Sequence, residues 1–404
     1  MKNRYALVAL TSIVTFLAAL LIFIVISRDN ESKKIKVGFI HIGDASSAYT
    51  NNFYFAQKEL ENALTGNVTT VSKFNVEENE KATSTACDEL IKEGCNIIFA
   101  TSYGYSKTVK RFAEAHPDVQ FCQATGTNAN EEPVLPNYHT FMGWIYEGRY
   151  ISGVVAGLKL EELINKGIIA KDEKGEVKIG YVAAFPMAEV ISGYTAFFLG
   201  VRAIVPDAVM RVVYTNTWSN SFVEKNCAER LIEEGCVIIS QHSDTMGPAI
   251  ACEEASSLRG KTVFHVGYNQ SMKDVAPTTS LVSCRINWSP YIISACEAVL
   301  KDKPIESVVK ATINGNDAGS GIKNNWVEII GQNEIKMAAG TTQRIQEEIE
   351  KFKNGRESIF QGEYIGMNPN AKPNSWNLRT PYEENANRSA PSFSYVLKDV
   401  IIIE

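Results

Sequence analysis

The sequence predicts an α/β protein built from two similar lobes, each containing a doubly wound parallel sheet. One observation is a repeated helix end, because LIKEGC at residues 90–95 recurs as LIEEGC at residues 231–236. In each copy a charged amphipathic helix leads into Gly94 or Gly235, which suits the left-handed position just past a helix. The short apolar run that follows is typical of a strand buried on both faces of a parallel sheet. The other observation is that such runs alternate with helical segments along most of the chain.

The first lobe is predicted to begin, after a short polar stalk, with an apolar strand that ends at a polar turn. Its first helix is expected to have Asn51 or Asn52 near its start. The predicted order is strand 34–44, helix 50–64, strand 68–76, helix 78–94, strand 96–102, helix 105–118 and strand 119–126.

The second lobe is introduced by the segment 146–164, whose middle lacks strong polar positions, so we expect a helix buried at the lobe boundary. From about Lys303 the alternation weakens. There the sequence predicts a helix at 343–355, an Asn- and Pro-rich loop at 367–392, and a strand or short helix at 394–404. Before that point the predicted order is strand 178–185, helix 190–207, strand 211–218, helix 221–235, strand 236–244, helix 245–258, strand 262–269, strand 280–288 and helix 289–300.

The predicted domain organisation has three parts. Residues 1–31 form an N-terminal anchor or signal followed by the stalk. The first lobe comprises residues 36–145 with a later return segment at about 268–304, and the second comprises 146–267 with part of 305–404 crossing back.

The N-terminal segment is strongly apolar. Lys2 and Arg4 precede residues 6–27, and no further charged residue occurs before Arg28. The run is long enough to span a bilayer, which needs roughly 20 apolar residues. The basic residues on its short side predict that end in the cytoplasm, with the bulk of the chain extracytoplasmic and held at the cell membrane. A cleaved signal peptide is the alternative.

Composition excludes several classes of function. The net charge of −6 gives no electrostatic footprint for nucleic acid. Five His and scattered Cys form no zinc pattern, and NGNDAGSG at residues 314–321 lacks the spaced carboxylates of a calcium loop, so no metal or cofactor is predicted. The eight Cys permit disulfides such as Cys87–Cys95 and Cys227–Cys236, or they are small buried thiols.

The candidate binding residues follow the predicted strands. Ligands of open α/β sheets bind beyond the carboxyl ends of the strands, and these ends carry aromatic residues together with Asn, Ser and Thr. Such a set suits a flat, polar heterocycle better than an ion. The strand-end residues are 43–49, 101–103, Phe185, Trp218, 241–244, Tyr268, Asn269, Asn287 and Trp288.

An enzyme is not predicted. QHSD at residues 241–244 contains Ser, His and Asp, but adjacent residues of an extended strand alternate sides and cannot converge as a triad. Asp244 is expected either to bind the ligand or to cap the next helix. Glu189 is expected either to face the cleft or to interact favourably with the dipole at the start of its helix.

Several segments of the chain resemble those of a known protein family. KVGFIHIGD, IIFATSYGY, HPDVQF, YEGRYISGVVAG, KIGYVAAFPMAEVISGYTAFFLGVRAIVPDA, TNTW, QHSD, VGYN and INWSPY occur in order and are similar to the basic membrane protein family of PnrA-like and Med-like proteins. The resemblance runs from about Lys36 and weakens after about Lys303. It implies a type I periplasmic-binding-protein fold with three crossovers, and capture of a purine for the permease and ATPase subunits of an ABC importer. Carried over by position, the implied ligand-binding residues are Tyr49, Asn51, Thr101, Ser102, Tyr103, Phe185, Gln241, Asp244, Asn269, Asn287 and Trp288.

The chain also departs from that family. Many members have Trp where Tyr49 stands, and nucleoside binders commonly have an Asp for ribose in the stretch that carries Asn269. A neutral Asn is a weaker acceptor than a carboxylate, which favours a free base such as adenine over a nucleoside. No lipid-accepting Cys is present near the apolar run, so the N-terminal helix is expected to replace it. A membrane-anchored sensor of the same fold, acting through a partner protein, is the alternative function.

Overall fold

The computed structural model describes residues 33–356 and 358–403. These residues form two α/β lobes, each built on a seven-stranded, largely parallel sheet, which confirms the predicted class. The α-helices are α1 Ala48–Ala63, α2 Glu80–Lys92, α3 Ser106–Ala115, α4 Ile145–Asn165, α5 Ala188–Arg202, α6 Ser221–Glu233, α7 Gly247–Arg259, α8 Ser289–Leu300 and α9 Thr341–Lys353. The strands are β1 Ile35–Ile40, β2 Val68–Lys73, β3 Ile97–Ala100, β4 Gln120–Ala124, β5 Tyr138–Gly143, β6 Val177–Ala183, β7 Ala208–Tyr214, β8 Ile238–His242, β9 Phe264–Tyr268, β10 Ser280–Ile286, β11 Thr312–Asn314, β12 Asp317–Ser320, β13 Val327–Ile330, β14 Ile365–Met367, β15 Ser375–Asn377, β16 Val396–Leu397 and β17 Val400–Ile403.

The two sheets share one topology over five of their strands. The first has the order β11-β12-β5-β4-β3-β1-β2 and the second β13-β10-β9-β8-β6-β7-β17. Five strands of each sheet, β5-β4-β3-β1-β2 and β10-β9-β8-β6-β7, run in parallel and are connected in the same order. The order reverses between β1 and β3 in the first lobe and between β6 and β8 in the second. A ligand crevice is expected at these switch points.

The repeated LIKEGC and LIEEGC segments occupy equivalent positions. One joins α2 to β3 and the other joins α6 to β8. Gly94 and Gly235 have φ of 81° and 88°, the left-handed region that glycine adopts without strain. In the first copy the amide of Cys95 donates to the carbonyl of Leu90 at 3.1 Å, and the second copy makes the equivalent bond. The sequence repeat therefore marks the same helix-to-strand step in each lobe.

The first helix begins earlier than the sequence predicts. Ser47 caps it, with its side chain accepting from the amide of Thr50 at 3.5 Å, so α1 starts at Ala48. Asn51 then lies within the first turn, and Asn52 turns inward with 5% exposure. Asn51 and Asn52 thus lie near the start of the helix, as expected, and Ser47 supplies the cap.

Helices α4 and α5 approach each other through glycine. A Cβ on Gly153 would lie 2.0 Å from the carbonyl oxygen of Phe197, and one on Gly200 would lie 2.2 Å from that of Tyr150. No side chain fits at that separation, so the two glycines let the backbones touch. As predicted, α4 is buried along most of its length.

The chain crosses between the lobes three times. The crossings lie between β5 and α4, between β10 and α8, and between β12 and β13. The sheet pairing keeps Ser280–Ile286 in the second sheet, whereas the sequence-based boundary assigns 268–304 to the first lobe. The chain rejoins the first lobe at α8, which packs against α1.

The C-terminal segment contacts both lobes. β14, β15 and β16 form a small antiparallel sheet, while β17 pairs with β7 and forms one edge of the second sheet. Toward the first lobe, the carboxylate of Asp317 accepts from the amide of Ser389 at 2.5 Å and from its hydroxyl at 2.6 Å. Toward the second lobe, Arg202 donates to the carboxylate of Asp399. The region predicted as a loop at 367–392 contains the strand β15. The sequence does not predict this strand, because a strand of three residues leaves no readable periodicity.

The predicted N-terminal anchor at residues 6–27 lies outside the described residues. Within the described part of the chain, the helices are either too short or too polar to cross a membrane. All eight cysteines lie in the described part as free thiols, so of the two alternatives the structure has the reduced one.

Candidate functional site

A cavity of about 510 Å³ lies between the two lobes, where the carboxyl ends of the parallel strands face each other. Loops after β1 to β4 supply one wall, and the segments after β6 to β8 with the end of β9 supply the other. The volume is within the range of sites for small organic ligands. The cavity is lined by Ile42, Gly43, Ser47, Tyr49, Glu78, Ser102, Tyr103, Gly104, Thr125, Phe185, Met187, Glu189, Asn216, Thr217, Trp218, Ser219, Asp244 and Tyr268.

Aromatic rings from both lobes line the cavity. Tyr49 and Tyr103 come from the first lobe, and Phe185, Trp218 and Tyr268 come from the second. The rings of Phe185 and Trp218 meet edge to face, with centroids 5.3 Å apart and planes at 64°. Tyr103 is 55% exposed, so its ring is free to meet a ligand. Aromatic walls on two sides suit a flat ligand.

Tyr49 is held in place by its hydroxyl. The hydroxyl donates to the carbonyl oxygen of Thr101 at 2.6 Å, and the ring packs edge-on against Phe53. Burial raises the pKa of the Tyr49 phenol well above its usual value, so the group stays neutral. Because the hydroxyl is already hydrogen-bonded to Thr101, the ring is the part of Tyr49 that can contact a ligand.

The charged groups on the cavity wall are acidic. Among the described lining residues, Glu78, Glu189 and Asp244 carry carboxyl groups and no Lys or Arg is present. Glu78 accepts from the amide of Gly104 at 2.8 Å and from the hydroxyl of Ser102. A wall of this sign disfavours anions such as phosphates and accepts neutral or cationic ligands.

Asp244 has the most perturbed carboxyl group of the wall. Burial raises the pKa of Asp244 to about 7, and the nearby charges of Glu224 and Glu189 add to that rise. The hydrogen bond from Asn269 and the charge of Arg149 act in the opposite direction. Oδ1 accepts from Asn269 Nδ2 at 3.0 Å, whereas Oδ2 has no hydrogen-bond partner among the described residues. Near neutral pH this carboxyl can therefore donate or accept.

Arg149 supports the wall from behind. It is fully buried, its guanidinium lies 3.8 Å from the centre of the Tyr268 ring, and Nη1 donates to the carbonyl of Gln241 at 2.7 Å. The ring of His242 also packs against Tyr268, with ring centroids 4.8 Å apart. Burial lowers the pKa of His242 to about 4, so its imidazole is neutral. The cation–π contact fixes the orientation of Tyr268.

Five of the residues predicted to bind a ligand line the cavity. They are Tyr49, Ser102, Tyr103, Phe185 and Asp244.

Three more lie directly behind the wall. Thr101 is fully buried and its hydroxyl donates to the carbonyl of Ile40 at 3.0 Å. Gln241 is also fully buried, and its amide nitrogen donates at 2.8 Å to two carbonyls of the loop after β8. Asn269 is 2% exposed and bonds to Asp244. These side chains position the wall and do not face the cavity.

Three others lie away from the cavity. Asn51 is on α1 but not on the cavity wall. Asn287 donates to Glu328 at 3.1 Å and accepts from the first amide of α8. Trp288 is 1% exposed and stacks on Phe53 at 4.4 Å in the core of the first lobe. Asn287 and Trp288 follow β10, which lies beyond β9 and away from the switch point. The chain leaves β10 toward the first lobe, so these two residues lie on a crossing between the lobes and not at the cavity.

Thirteen lining residues are not among the ligand-binding residues that the resemblance implies, and four of them carry aromatic or acidic side chains. Trp218 and Tyr268 stand at strand ends and Glu189 opens α5, so their positions carry the same signal as the selected residues. Glu78 lies in the loop after β2. That loop also emerges at the carboxyl edge of the sheet, and this is the signal that could have found it.

A side chamber of about 160 Å³ adjoins the cavity. Both share Tyr103, Thr125, Met187 and Glu189. The outer wall of the chamber is made by Arg388, Ala390 and Pro391 of the C-terminal segment.

Comparison with known proteins gives a family match over most of the chain. Residues 35–359 match the family described as ABC transporter substrate-binding protein PnrA-like. A purine-binding protein of Brucella abortus is 33% identical over 269 residues, which cover 66% of this chain and 69% of that protein. A Haloferax volcanii protein with the provisional name of ABC transporter glucose-binding protein is 30% identical over 270 residues, covering 66% and 61%.

A solved structure agrees on the fold. The ABC transporter solute-binding protein from Aeropyrum pernix K1 superposes with a TM-score of 0.62 at 14% identity, covering 84% of this chain and 95% of that chain. The family match ends at residue 359, so the segment that carries Arg388 lies beyond it.

Proposed function

The chain belongs to the PnrA-like family of ABC transporter substrate-binding proteins, and from this membership we propose that it captures a purine between its lobes for import. The family consists of extracytoplasmic substrate-binding proteins, not enzymes, which pass small molecules to transporter subunits. The observation that carries the proposal is the set of aromatic rings that both lobes present to one cavity with polar, acidic walls. The purine-binding relative from Brucella abortus supports the same ligand class.

Stacking supplies the affinity in this proposal. A planar base between Tyr49 or Tyr103 on one side and Phe185 on the other gains about 1–3 kcal/mol per stacked ring, by analogy with base stacking in nucleic-acid-binding proteins. The edge-to-face contact of Trp218 fixes the ring of Phe185 before the ligand arrives. Preorganised rings lose little side-chain entropy on binding.

Hydrogen bonds to the edge of the ligand select among purines. Asp244 and Glu189 offer carboxyl groups, and Ser102 offers a hydroxyl. A free base, adenine in particular, is favoured over a nucleoside because Asn269 is a neutral amide already bonded to Asp244 and Asn52. It therefore offers no free carboxylate to a ribose hydroxyl.

Closure of the lobes couples capture to transport. The site needs residues of both lobes, so the ligand binds the closed arrangement better and shifts the population toward it. The closed form then docks on the permease and ATPase subunits of the importer. The apolar stretch 6–27 holds the protein at the membrane face.

Thermal melting of the full chain tests the ligand class. The panel is adenine, guanine, hypoxanthine, adenosine, guanosine and inosine, with glucose as the competing ligand chemistry. A true ligand at 100 times its Kd adds roughly 2.7 kcal/mol of stability and raises Tm. A shift with adenine and none with adenosine is the expected result. Shifts with nucleosides alone would keep the purine and reject the free base, and a shift with glucose alone would reject the purine.

A further inference from the structure

A chain of side-chain hydrogen bonds engages one of the two carboxyl oxygens of Asp244, a residue of the cavity wall. Asn52 Nδ2 donates to Asn269 Oδ1 at 3.3 Å, and Asn269 Nδ2 donates to Asp244 Oδ1 at 3.0 Å. Asn52 and Asn269 are 5% and 2% exposed, so water does not compete for these bonds. Because the amide oxygen of Asn269 faces Asn52, its nitrogen is turned to Asp244.

This arrangement fixes where a proton sits on Asp244. Oδ1 accepts from Asn269, so the proton of the neutral acid resides on Oδ2, the oxygen without a partner among the described residues. The acid then presents a donor at Oδ2 beside an acceptor lone pair at Oδ1. The ionised carboxylate presents two acceptors instead.

We propose that Asp244 selects between purine bases by its protonation state, pairing as an acid with the edge of adenine and as a carboxylate with the edge of guanine. The proposal rests on the proposed purine function. Adenine places an amine donor beside a ring-nitrogen acceptor, which complements the acid. Guanine places a ring N–H beside an amine, two donors that complement the carboxylate. The mismatched combination leaves a buried polar group unpaired, which is the strongest source of discrimination that a binding site has.

Both protonation states are accessible near neutral pH, because burial raises the pKa of Asp244 to about 7. The effect of burial exceeds that of the hydrogen bond from Asn269. The charged and titratable groups that face Asp244 from neighbouring elements are Glu189 on α5, Glu224 on α6, Arg149 on α4, Tyr268 on β9 and Tyr49 on α1.

Isothermal titration of the full chain with adenine and with guanine at pH 6, 7 and 8 tests the proposal. The affinity for each base scales with the fraction of the competent form, so the Kd of adenine rises about tenfold from pH 6 to pH 8 and that of guanine falls about tenfold. Neither base changes its own protonation in this range. The ratio of the two Kd values therefore moves about a hundredfold.

The variant Asp244→Asn separates this residue from other titrating groups. Its amide supplies the donor and the acceptor of the neutral acid at every pH, so adenine binding becomes independent of pH and guanine binding stays weak. Asp118→Asn is the matched control, because Asp118 is exposed on the turn before β4 and does not line the cavity. That variant should reproduce the wild-type profiles.

Parallel or flat wild-type profiles for the two bases would overturn the proposal without any variant. A pH dependence that survives in Asp244→Asn would also overturn it. If neither base binds at any pH, the purine function itself fails, and the proposal fails with it. Tight but pH-independent binding of adenine would leave the purine function standing and reject only the role of Asp244.

Discussion

Removing the ring of Phe185 is the most direct perturbation of the aromatic wall. Phe185 follows β6, is partly exposed to the cavity, and contacts Trp218 edge to face at 5.3 Å. Phe185→Ala removes one stacking face from the ligand, about 1–3 kcal/mol. The substitution also removes the edge-to-face contact with Trp218, which stabilises the arrangement of the two rings by about 0.5–1.5 kcal/mol. We therefore expect the Kd of the best purine to rise by tenfold or more, which corresponds to about 1.4 kcal/mol.

Isothermal titration measures this change against a matched substitution. Phe55→Ala removes an equal ring from α1, where Phe55 is 51% exposed and does not line the cavity. The control should keep the wild-type Kd, and both variants should keep the far-UV circular dichroism of the parent. A Kd for Phe185→Ala within twofold of wild type would refute the stacking role of this ring. The ligand would then contact another part of the cavity wall.

Three further predictions concern the site and its framework. Tyr49→Phe should leave the Kd of the ligand within about threefold of wild type, because the hydroxyl is already bonded within the protein. Urea unfolding should show that the free energy of unfolding falls by about 1 kcal/mol, because the carbonyl of Thr101 loses its partner. A large loss of affinity would show that the hydroxyl serves the ligand. Asp244→Asn should have the Tm of the wild type near pH 4 and a higher Tm at pH 8. Because the pKa of Asp244 is raised to about 7 in the folded protein, ionisation of the wild-type carboxyl destabilises the fold as the pH rises above the unfolded-state pKa of about 3.9. Equal Tm values at pH 8 would contradict that shift. Gly153→Ala should cost about 3 kcal/mol in urea unfolding because its Cβ meets a carbonyl oxygen of the facing helix. Gly94→Ala, which meets nothing within 4 Å and suffers only from its positive φ, should cost about 1 kcal/mol, and equal losses would show that the two helices can separate.

The sequence is most informative where one local signal has one structural meaning. LIKEGC and LIEEGC identify equivalent steps in two lobes because glycine past a helix end and an apolar run after it serve few other purposes. The short strands after about Lys303 are different. β12 has four residues and β14 and β15 have three each, so their pairing depends on distant strands and leaves no periodic pattern.

For the site, the sequence gives position along the chain but not the direction of a side chain. Tyr49 at the start of α1, and Phe185 and Asp244 just after their strands, lie beside the switch of strand order and line the cavity. Trp288 also follows a strand, yet it turns into the core to stack on Phe53, because β10 lies too far across the sheet. Only the order of strands separates these cases, and that order is a long-range property.

In the proposed function, recognition of the ligand edge and closure of the lobes depend on the same bonds. Asn52 belongs to α1 in the first lobe, whereas Asn269 and Asp244 follow strands of the second, so the bond from Asn52 to Asn269 crosses the cleft. Opening the lobes breaks that bond and frees the amide of Asn269 to rotate, and Asp244 then loses the constraint that places its proton. Under the proposed role of Asp244, discrimination between bases therefore requires the closed arrangement. A base whose edge matches Asp244 stabilises closure, and a mismatched base that stacks equally well does not, because a ligand shifts a conformational equilibrium only by its differential affinity for the two states. The same residues that read the ligand would in this way decide whether a closed protein is presented to the transporter.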